Sequence, residues 1–373
     1  MKKSIIWVVG AIIVVLIIIV ASNKKPTETG PIKIGFIGPL SGDAAGVGEP
    51  VANGVRLAEK EINDAGGIKG RKIQVFYGDG KCDGPTAVSV AQKMISMDGV
   101  QFIIGGICSG EVLAAAPILE AAKILSISPG ATSPNVSNAG DYVFRNAPND
   151  ADRGVSLADY ATEHFTRIAA ISEQTDYSQS LTKSFVDQLN VKGIQLVADE
   201  TYNSESTDFR SALLKLKTAK PDVIFLNPQS PANLIRLAQQ ARAIGIASQF
   251  IASEFIDAQV MAAGAAVQGM IVSVAPGLAT AGKGGELLAA YKAMFGKDAD
   301  YPYYVGAAYD NLHIFADGIA KYGEDTTLIK DYLYALEDYP GTIGTYSFDD
   351  DGNVVGVGFV FQKIVDGKAV PIE

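Results

Sequence analysis

Apolar residues along this chain fall into two alternating modes. Short unbroken runs predict strands buried on both faces, and longer stretches with a single apolar stripe predict helices that cover them. The first run, "IKIGFIG" (32–38), is a predicted strand; "GPLSGDAAGVGEP" is a predicted loop, and "VANGVRLAEKEINDAGG" is a helix from Val51 with a glycine stop. Strand "KIQVFYGD", helix "GPTAVSVAQKMISM", strand "VQFIIGG", helix "GEVLAAAPILEAAK" and strand "ILSIS" follow in turn. This βαβαβαβ order predicts a doubly wound parallel sheet.

The rhythm then restarts. "RIAAISEQTDYSQSLTKSFVDQLNVKG" repeats the first strand, loop and helix, and the apolar runs at Ile73 and Val100 recur at Gln195 and Asp222, both displaced by 122 residues. Two related α/β lobes follow from that repeat, joined by a hinge with a ligand cleft between the carboxyl ends of their sheets. The expected division is residues 32–148 plus 276–357 for one lobe and 149–275 plus 358–373 for the other. The chain is expected to cross near Asn149, near Ala275 and again close to the C-terminus.

Ahead of the lobes, residues 1–25 are a signal or anchor segment and 26–31 a linker. Two lysines precede an unbroken apolar run from Ile5 to Ala21, 17 residues long, which directs export. Ile19 is a poor fit to a small-x-small cleavage pattern ending at Ala21, so the expectation is an uncleaved membrane anchor, with cleavage and release as the alternative. A second uncharged stretch, Val260 to Gly282, is interrupted by Gln268 and Pro276 and predicts a helix end followed by a buried strand, "GMIVSVA".

Charge narrows the partners. The formal charge is -10, and four lysines with no acid lie in the first 25 residues, so the remainder carries -10 - 4 = -14. That field repels nucleic acid and anionic lipid. Only two cysteines occur, Cys82 and Cys108. Export places them in an oxidising compartment where two thiols in one domain are expected to pair, two separate buried thiols being the alternative. With His164 and His313 as the only histidines, no metal site is expected.

The candidate chemistry sits at strand ends. "GGICSGE" lacks the G-x-G-x-x-G and Walker A patterns, so no nucleotide cofactor is expected, and there is no G-x-S-x-G elbow. What the turn offers is a helix start whose free N–H groups, with the Ser109 hydroxyl, suit a carboxylate; Ser109 as an ordinary N-cap is the alternative. The next strand ends in "SISPGATSP", which brings Gly130, Ala131 and the Thr132 hydroxyl beside that mouth. In the second lobe, Tyr177 stands at the matching strand-to-helix corner and Glu254 at the end of "QFIAS", where an acid could meet an ammonium.

These stretches together resemble the exported leucine/isoleucine/valine-binding proteins of ABC transporters, the type I periplasmic binding proteins. The resemblance extends from Ile32 onward and includes "IGFIGPLSGDAAGVGEPVANGVRLAEKEINDAGGIKGRKIQV", "GDGKCD", "SPGATSP", "TDYSQS" and "YYVGAAYDNLHIFADGI". It implies a Cys82–Cys108 disulfide, a carboxylate held by Ser109, Thr132 and backbone around Gly130 and Ala131, an α-ammonium on Glu254, and aromatic cleft walls at Tyr177 and Tyr304. Val47 replaces an aromatic residue of some members, Ser178 replaces a common glycine, and Glu111 adds a negative charge beside the carboxylate site. The implied function is capture of a branched-chain or similar amino acid for an ABC permease, without catalysis. A sensory ligand-binding module is the alternative; a permease and ATPase encoded alongside would favour transport. An esterase using Ser109 lacks a base. Urea, amides and aromatic acids are disfavoured because a ligand without an ammonium would leave Glu254 unpaired.

Overall fold

The computed structural model describes residues 30–372. The expected membrane anchor and its linker through residue 29 lie outside the described residues. Among those described, no helix is long and apolar enough to cross a membrane.

In the first half, β1 (Ile32–Gly38), β2 (Ile73–Asp79), β3 (Phe102–Gly105), β4 (Leu125–Ser128) and β5 (Val143–Arg145) form a parallel sheet in the order β2-β1-β3-β4-β5. Helices α1 (Ala45–Asp64), α2 (Gly84–Lys93) and α3 (Ser109–Ala122) connect its first four strands. The second half begins with α4 (Asp150–His164) and continues as β6 (Ile168–Glu173), α5 (Asp176–Val191), β7 (Ala198–Tyr202), α6 (Arg210–Ala219), β8 (Val223–Asn227), α7 (Pro231–Ala243), β9 (Gln249–Ser253), α8 (Ala258–Ala262) and β10 (Ile271–Val274). Its parallel strands run in the order β10-β9-β8-β6-β7, so the first half's connectivity is repeated.

The chain then returns to the first sheet with α9 (Gly282–Phe295), α10 (Pro302–Tyr322) and α11 (Thr326–Tyr334). A small antiparallel sheet follows, made of β11 (Tyr339–Gly341), β12 (Gly344–Phe348) and β13 (Val354–Val355). It is pinned to β5 by the Arg145 N–H, which donates to the Gly352 carbonyl at 2.9 Å. Finally β14 (Val360–Val365) and β15 (Lys368–Pro371) join the second sheet as antiparallel edge strands beside β10.

The strands were legible because both faces are covered. Ile34, Phe36, Phe102, Ile103, Ile104 and Ile127 are wholly buried, and burying each such side chain stabilises the fold by about 1.5–3 kcal/mol. Phe102 meets Phe315 of α10 with ring centroids 5.3 Å apart, which packs the late helix onto the first sheet. One boundary differs from expectation. Helix α1 starts at Ala45 and contains Pro50, where the run of Gly and Pro predicts a loop. Gly48 lies against Pro39, where a Cβ would stand 1.9 Å from the carbonyl oxygen. Val47 therefore sits on the first turns of α1 rather than in a loop.

Candidate functional site

In each sheet the chain switches direction between its first and third strands, and the connections leaving those two strands diverge to open a crevice at the carboxyl edge. The site is built there from both halves. The connection after β1 supplies Ala44 and Val47, that after β3 supplies Cys108 and Ser109, that after β6 supplies Tyr177, that after β8 supplies Gln229, and that after β9 supplies Glu254 and Phe255. These residues, with Cys82, line one cavity of about 50 Å³. Glu254 also faces a neighbouring cavity of about 120 Å³, shared with Tyr301, Tyr303, Tyr304 and Gln362. Larger than either is a cavity of about 480 Å³ lined by Glu61, Lys283, His313 and Asp317 among others, which touches none of the predicted site residues.

Ser109 opens α3 and is buried. Its Oγ accepts the Ser133 N–H at 3.1 Å, which leaves the hydroxyl proton free to point into the cleft. Glu111, two residues on, folds back over its own helix start. Its Oε2 accepts the N–H groups of Ile107 and Cys108, both at 3.0 Å, and its Oε1 accepts that of Cys82, also at 3.0 Å. Gly80 and Gly106 make room for it, since a Cβ at either would come within 2.4 Å of Glu111 side-chain atoms. Burial pushes the Glu111 carboxyl up to about 7 against the pull of those N–H groups. The Ile107 and Cys108 donors are thus already engaged. The N–H groups of Ser109 and Gly110 remain without an acceptor among the described residues, as the first turn of a helix leaves them. Cys82 and Cys108 form a disulfide with Cα atoms 5.3 Å apart, so the bridge is part of the cavity wall.

The turn after β4 differs from its simplest reading. The N–H groups of Gly130 and Ala131 both donate to Ser128 Oγ, at 3.3 and 2.9 Å, and are not free for a ligand. The Thr132 hydroxyl donates to Asp150 Oδ2 at 2.6 Å, so its proton is committed and its oxygen is left as an acceptor. The Thr132 N–H has no acceptor among the described residues. Tyr177 is buried, its hydroxyl 2.7 Å from Ser253 Oγ, and burial raises its phenol far above the ordinary value, so it stays neutral. Tyr304 lies in the second cavity, its hydroxyl buried without a hydrogen-bond partner among the described residues.

Glu254 is buried, as an acid facing a cleft requires, but it is not unpaired. Arg153, fully buried on α4, makes an ion pair with Glu254 Oε1 and another with Asp150 Oδ1 at 3.2 Å, and its guanidinium lies 4.1 Å from the centre of the Phe359 ring. Burial raises the Asp150 carboxyl, while Arg153, Thr132 and, through space, Arg145 pull it back down. A chain of polar contacts, Thr132–Asp150–Arg153–Glu254, therefore runs from the first sheet's edge to the second's.

Neither Asp150 nor Arg153 was singled out from the sequence. The signal was present: 150, 153, 154, 157, 158 and 161 are the buried positions of α4, a single helical stripe, and two charged residues on an apolar stripe mark a built polar site. Gln229 and Phe255 were missed for a plainer reason, since nothing in their local pattern separates them from other loop residues.

A family profile described as "Periplasmic binding protein" matches residues 31–369. The leucine-specific-binding protein of Salmonella typhimurium is 32% identical over 346 residues, covering 91% of this chain and 92% of that protein. The Leu/Ile/Val-binding protein homolog 1 of Brucella abortus is 31% identical over 345 residues, with 90% and 92% covered. Among solved structures, the branched-chain amino acid transporter substrate-binding protein of Streptococcus pneumoniae, in complex with isoleucine, superposes with a TM-score of 0.82 at 28% identity, covering 91% of this chain and 97% of that one. Two repeated α/β lobes facing each other across a cleft, and a match to nearly every described residue, have one meaning: this chain belongs to the periplasmic binding protein family and has its type I fold.

Proposed function

We propose that the chain is an extracytoplasmic solute receptor that captures an α-amino acid, branched-chain foremost, between its lobes and delivers it to an ABC transporter permease. One observation carries this reading: Ser109 at a helix mouth and Glu254 line the same small cavity, so a donor set for a carboxylate faces an acceptor for an ammonium. The carboxylate would take the Ser109 hydroxyl and the N–H groups of Ser109, Gly110 and Thr132. The ammonium would meet Glu254 and the Thr132 oxygen, and Tyr177 would cover the ligand. Each charge-assisted contact contributes on the order of 1.5–3 kcal/mol. Around them the cavity wall is largely apolar, with Ala44, Val47, the disulfide and Phe255, and Gln229 is its one uncharged amide. That lining suits an aliphatic side chain, and the names of the Salmonella, Brucella and Streptococcus proteins point the same way.

Binding without turnover fits the positions of the histidines. His164 closes α4 and stacks on Tyr160, and His313 faces the unrelated cavity, so neither supports Ser109 as a nucleophile. We take the lobes as 32–148 plus 276–357 and 149–275 plus 358–373, with Tyr304 on a cleft-facing helix of the former. We also propose that residues 5–21 tether the receptor to the cell membrane. Carbonate-resistant membrane association of the full chain tests the tether, and release as a shortened soluble protein would replace it with cleavage.

The function is tested by a thermal-shift screen of residues 27–373 against the common amino acids, urea, small amides and aromatic acids, since a ligand that binds only the folded state raises its melting temperature. The expected result is a shift with leucine, isoleucine or valine. Shifts confined to ligands with no amino acid skeleton would overturn the reading.

A further inference from the structure

The Arg153–Glu254 pair bears on which ligands the cleft admits. When a buried acid stands alone in an ammonium site, an analogue lacking the ammonium strands it without a partner, and sites of that kind discriminate by roughly 10⁴–10⁵. Here Glu254 Oε1 is paired with Arg153, itself fully buried, stacked on Phe359 and anchored by Asp150. The acid thus faces a positive charge before any ligand arrives. An incoming ammonium also approaches a guanidinium of like charge, which lowers its attraction to Glu254. The buried Arg145 also acts on Asp150 through space, so Asp150 and Glu254 face two arginines between them.

We propose that Arg153 is a positioning and specificity-determining residue that relaxes the demand for an α-ammonium, so that branched aliphatic carboxylates lacking the amino group are a second ligand class of this cleft. This rests on the amino acid reading above. The helix mouth at Ser109 holds the carboxylate in both classes, and the apolar wall holds the carbon skeleton. What differs is the group beside Glu254, and Arg153 keeps that acid paired when the ligand cannot.

Calorimetric titration with leucine and with 4-methylpentanoate, the same skeleton without the ammonium, tests it on the intact receptor. In the wild type, leucine is expected to bind only about tenfold more tightly than its analogue. In Arg153→Gln, where Glu254 loses its partner, the ratio is expected to rise at least about tenfold further, as binding comes to depend on the ligand's ammonium. Arg153→Lys keeps the positive charge but not the planar fork that reaches both acids, so the ratio is expected to rise less than in Arg153→Gln. A purely structural arginine would weaken both ligands alike and leave the ratio unchanged in Arg153→Gln, and that result overturns the proposal. Should Arg153→Gln fail to fold, the wild-type ratio still decides: rejection of 4-methylpentanoate by about a thousandfold or more sinks the inference while leucine binding stands. If the wild type binds neither compound, the branched-chain preference falls and takes this inference with it, while the amino acid reading is decided by the thermal-shift screen.

Discussion

Glu254 holds its backbone at φ +66°, in the left-handed region that a residue with a side chain enters at a cost. Strand β9 ends just before it, and its N–H donates to the Ser273 carbonyl of β10 at 2.9 Å, which anchors the turn on the neighbouring strand. With Arg153 on one oxygen, Glu254→Gln exchanges an ion pair and an ammonium acceptor for a neutral amide. Leucine affinity should fall by about tenfold, and an unchanged dissociation constant in calorimetry would remove Glu254 from the site. Glu111 makes a prediction of a different kind. Its carboxyl is raised from 4.5 to about 7 in the fold, and that of Asp310 from 3.8 to about 6, in both cases chiefly by burial. Through the window between the ordinary and raised values the native state binds more protons than the unfolded chain, so stability falls as pH rises. Carboxyls held low, such as Asp79 and Asp83, act in the opposite sense only as pH drops toward and below 3.8, and His313, held below 6.5 by burial, opposes within the window as one group against two raised carboxyls. The melting temperature should therefore be higher near about pH 5 than near about pH 8. For Glu111 alone the linkage is at most on the order of 3 kcal/mol. Glu111→Gln loses some capping of Ile107, Cys108 and Cys82, yet its signature is a flatter pH profile, and a profile as steep as wild type would show that Glu111 does not titrate in this range.

At the scale of elements, α3 does most of the site-building, because its first turn is at once the end of the disulfide, the seat of Ser109 and the place Glu111 caps. The Cys82–Cys108 bridge spans a sequence separation of 26, and closing a loop of that length stabilises the fold by about 3.5 kcal/mol in the chain-entropy picture. Replacing both cysteines by serine should lower the melting temperature by several degrees and also weaken ligand binding, since the bridge is cavity wall as well as staple. A loss of stability with affinity untouched would mean that the wall does not bear on the ligand. Ser109→Ala should weaken leucine binding by roughly tenfold, the worth of one hydrogen bond to a charged group, and also lower stability by about 1–3 kcal/mol, because the buried Ser133 N–H loses its acceptor. The same element explains what could be learned from the sequence. Strands such as β1 and β3 were plain because a strand covered on both faces has no polar positions to confuse it, and Ser109 and Glu254 were found because strand ends announce where loops converge. The start of α1 was obscured by Gly46, Gly48 and Pro50, whose turn chemistry outweighs a helix stripe that has scarcely begun. Asp150 and Arg153 went unnoticed because "NDADRG" also reads as an acidic helix start in water, and only the placement of both charges on the stripe of Leu157 and Ala161 says otherwise. Hydrogen-bond direction was out of reach altogether: that Thr132 spends its proton on Asp150 depends on a residue 18 positions away.

For the whole molecule, the question is how a ligand enters. A cavity of about 50 Å³ has room for only a few water molecules, so the lobes must part before an amino acid can enter and close again around it. Hinge closure of this kind is general for periplasmic binding proteins. In the present arrangement the lobes touch at the cleft rim, where Arg236 of α7 reaches Asp43, in the loop after β1, at 2.5 Å. Gly110 meets the opposite lobe too, since a Cβ there would lie 3.2 Å from Asp176 Oδ2. Both contacts exist only when the lobes are together, so both act on the closing equilibrium, and they can be separated by their response to salt. The Arg236–Asp43 pair is partly exposed, with side chains 35% and 53% accessible, and such a pair contributes about 0.2–1 kcal/mol, less as salt screens it. Asp43→Asn should therefore weaken ligand binding by at most about fivefold at low ionic strength and scarcely at all near about 1 M salt. A bulky side chain at Gly110, such as leucine, wedges the rim sterically and should weaken binding by more than Asp43→Asn does, to the same degree at every salt concentration. Small-angle scattering on each variant with saturating leucine reads the closure directly: the wild type should contract on binding, and the Gly110→Leu protein should contract less. If Gly110→Leu closes fully and binds as the wild type does, the rim contact between α3 and α5 plays no part in closure, and the lobes must be held together elsewhere, as where the Thr132 hydroxyl of one donates to Asp150 of the other.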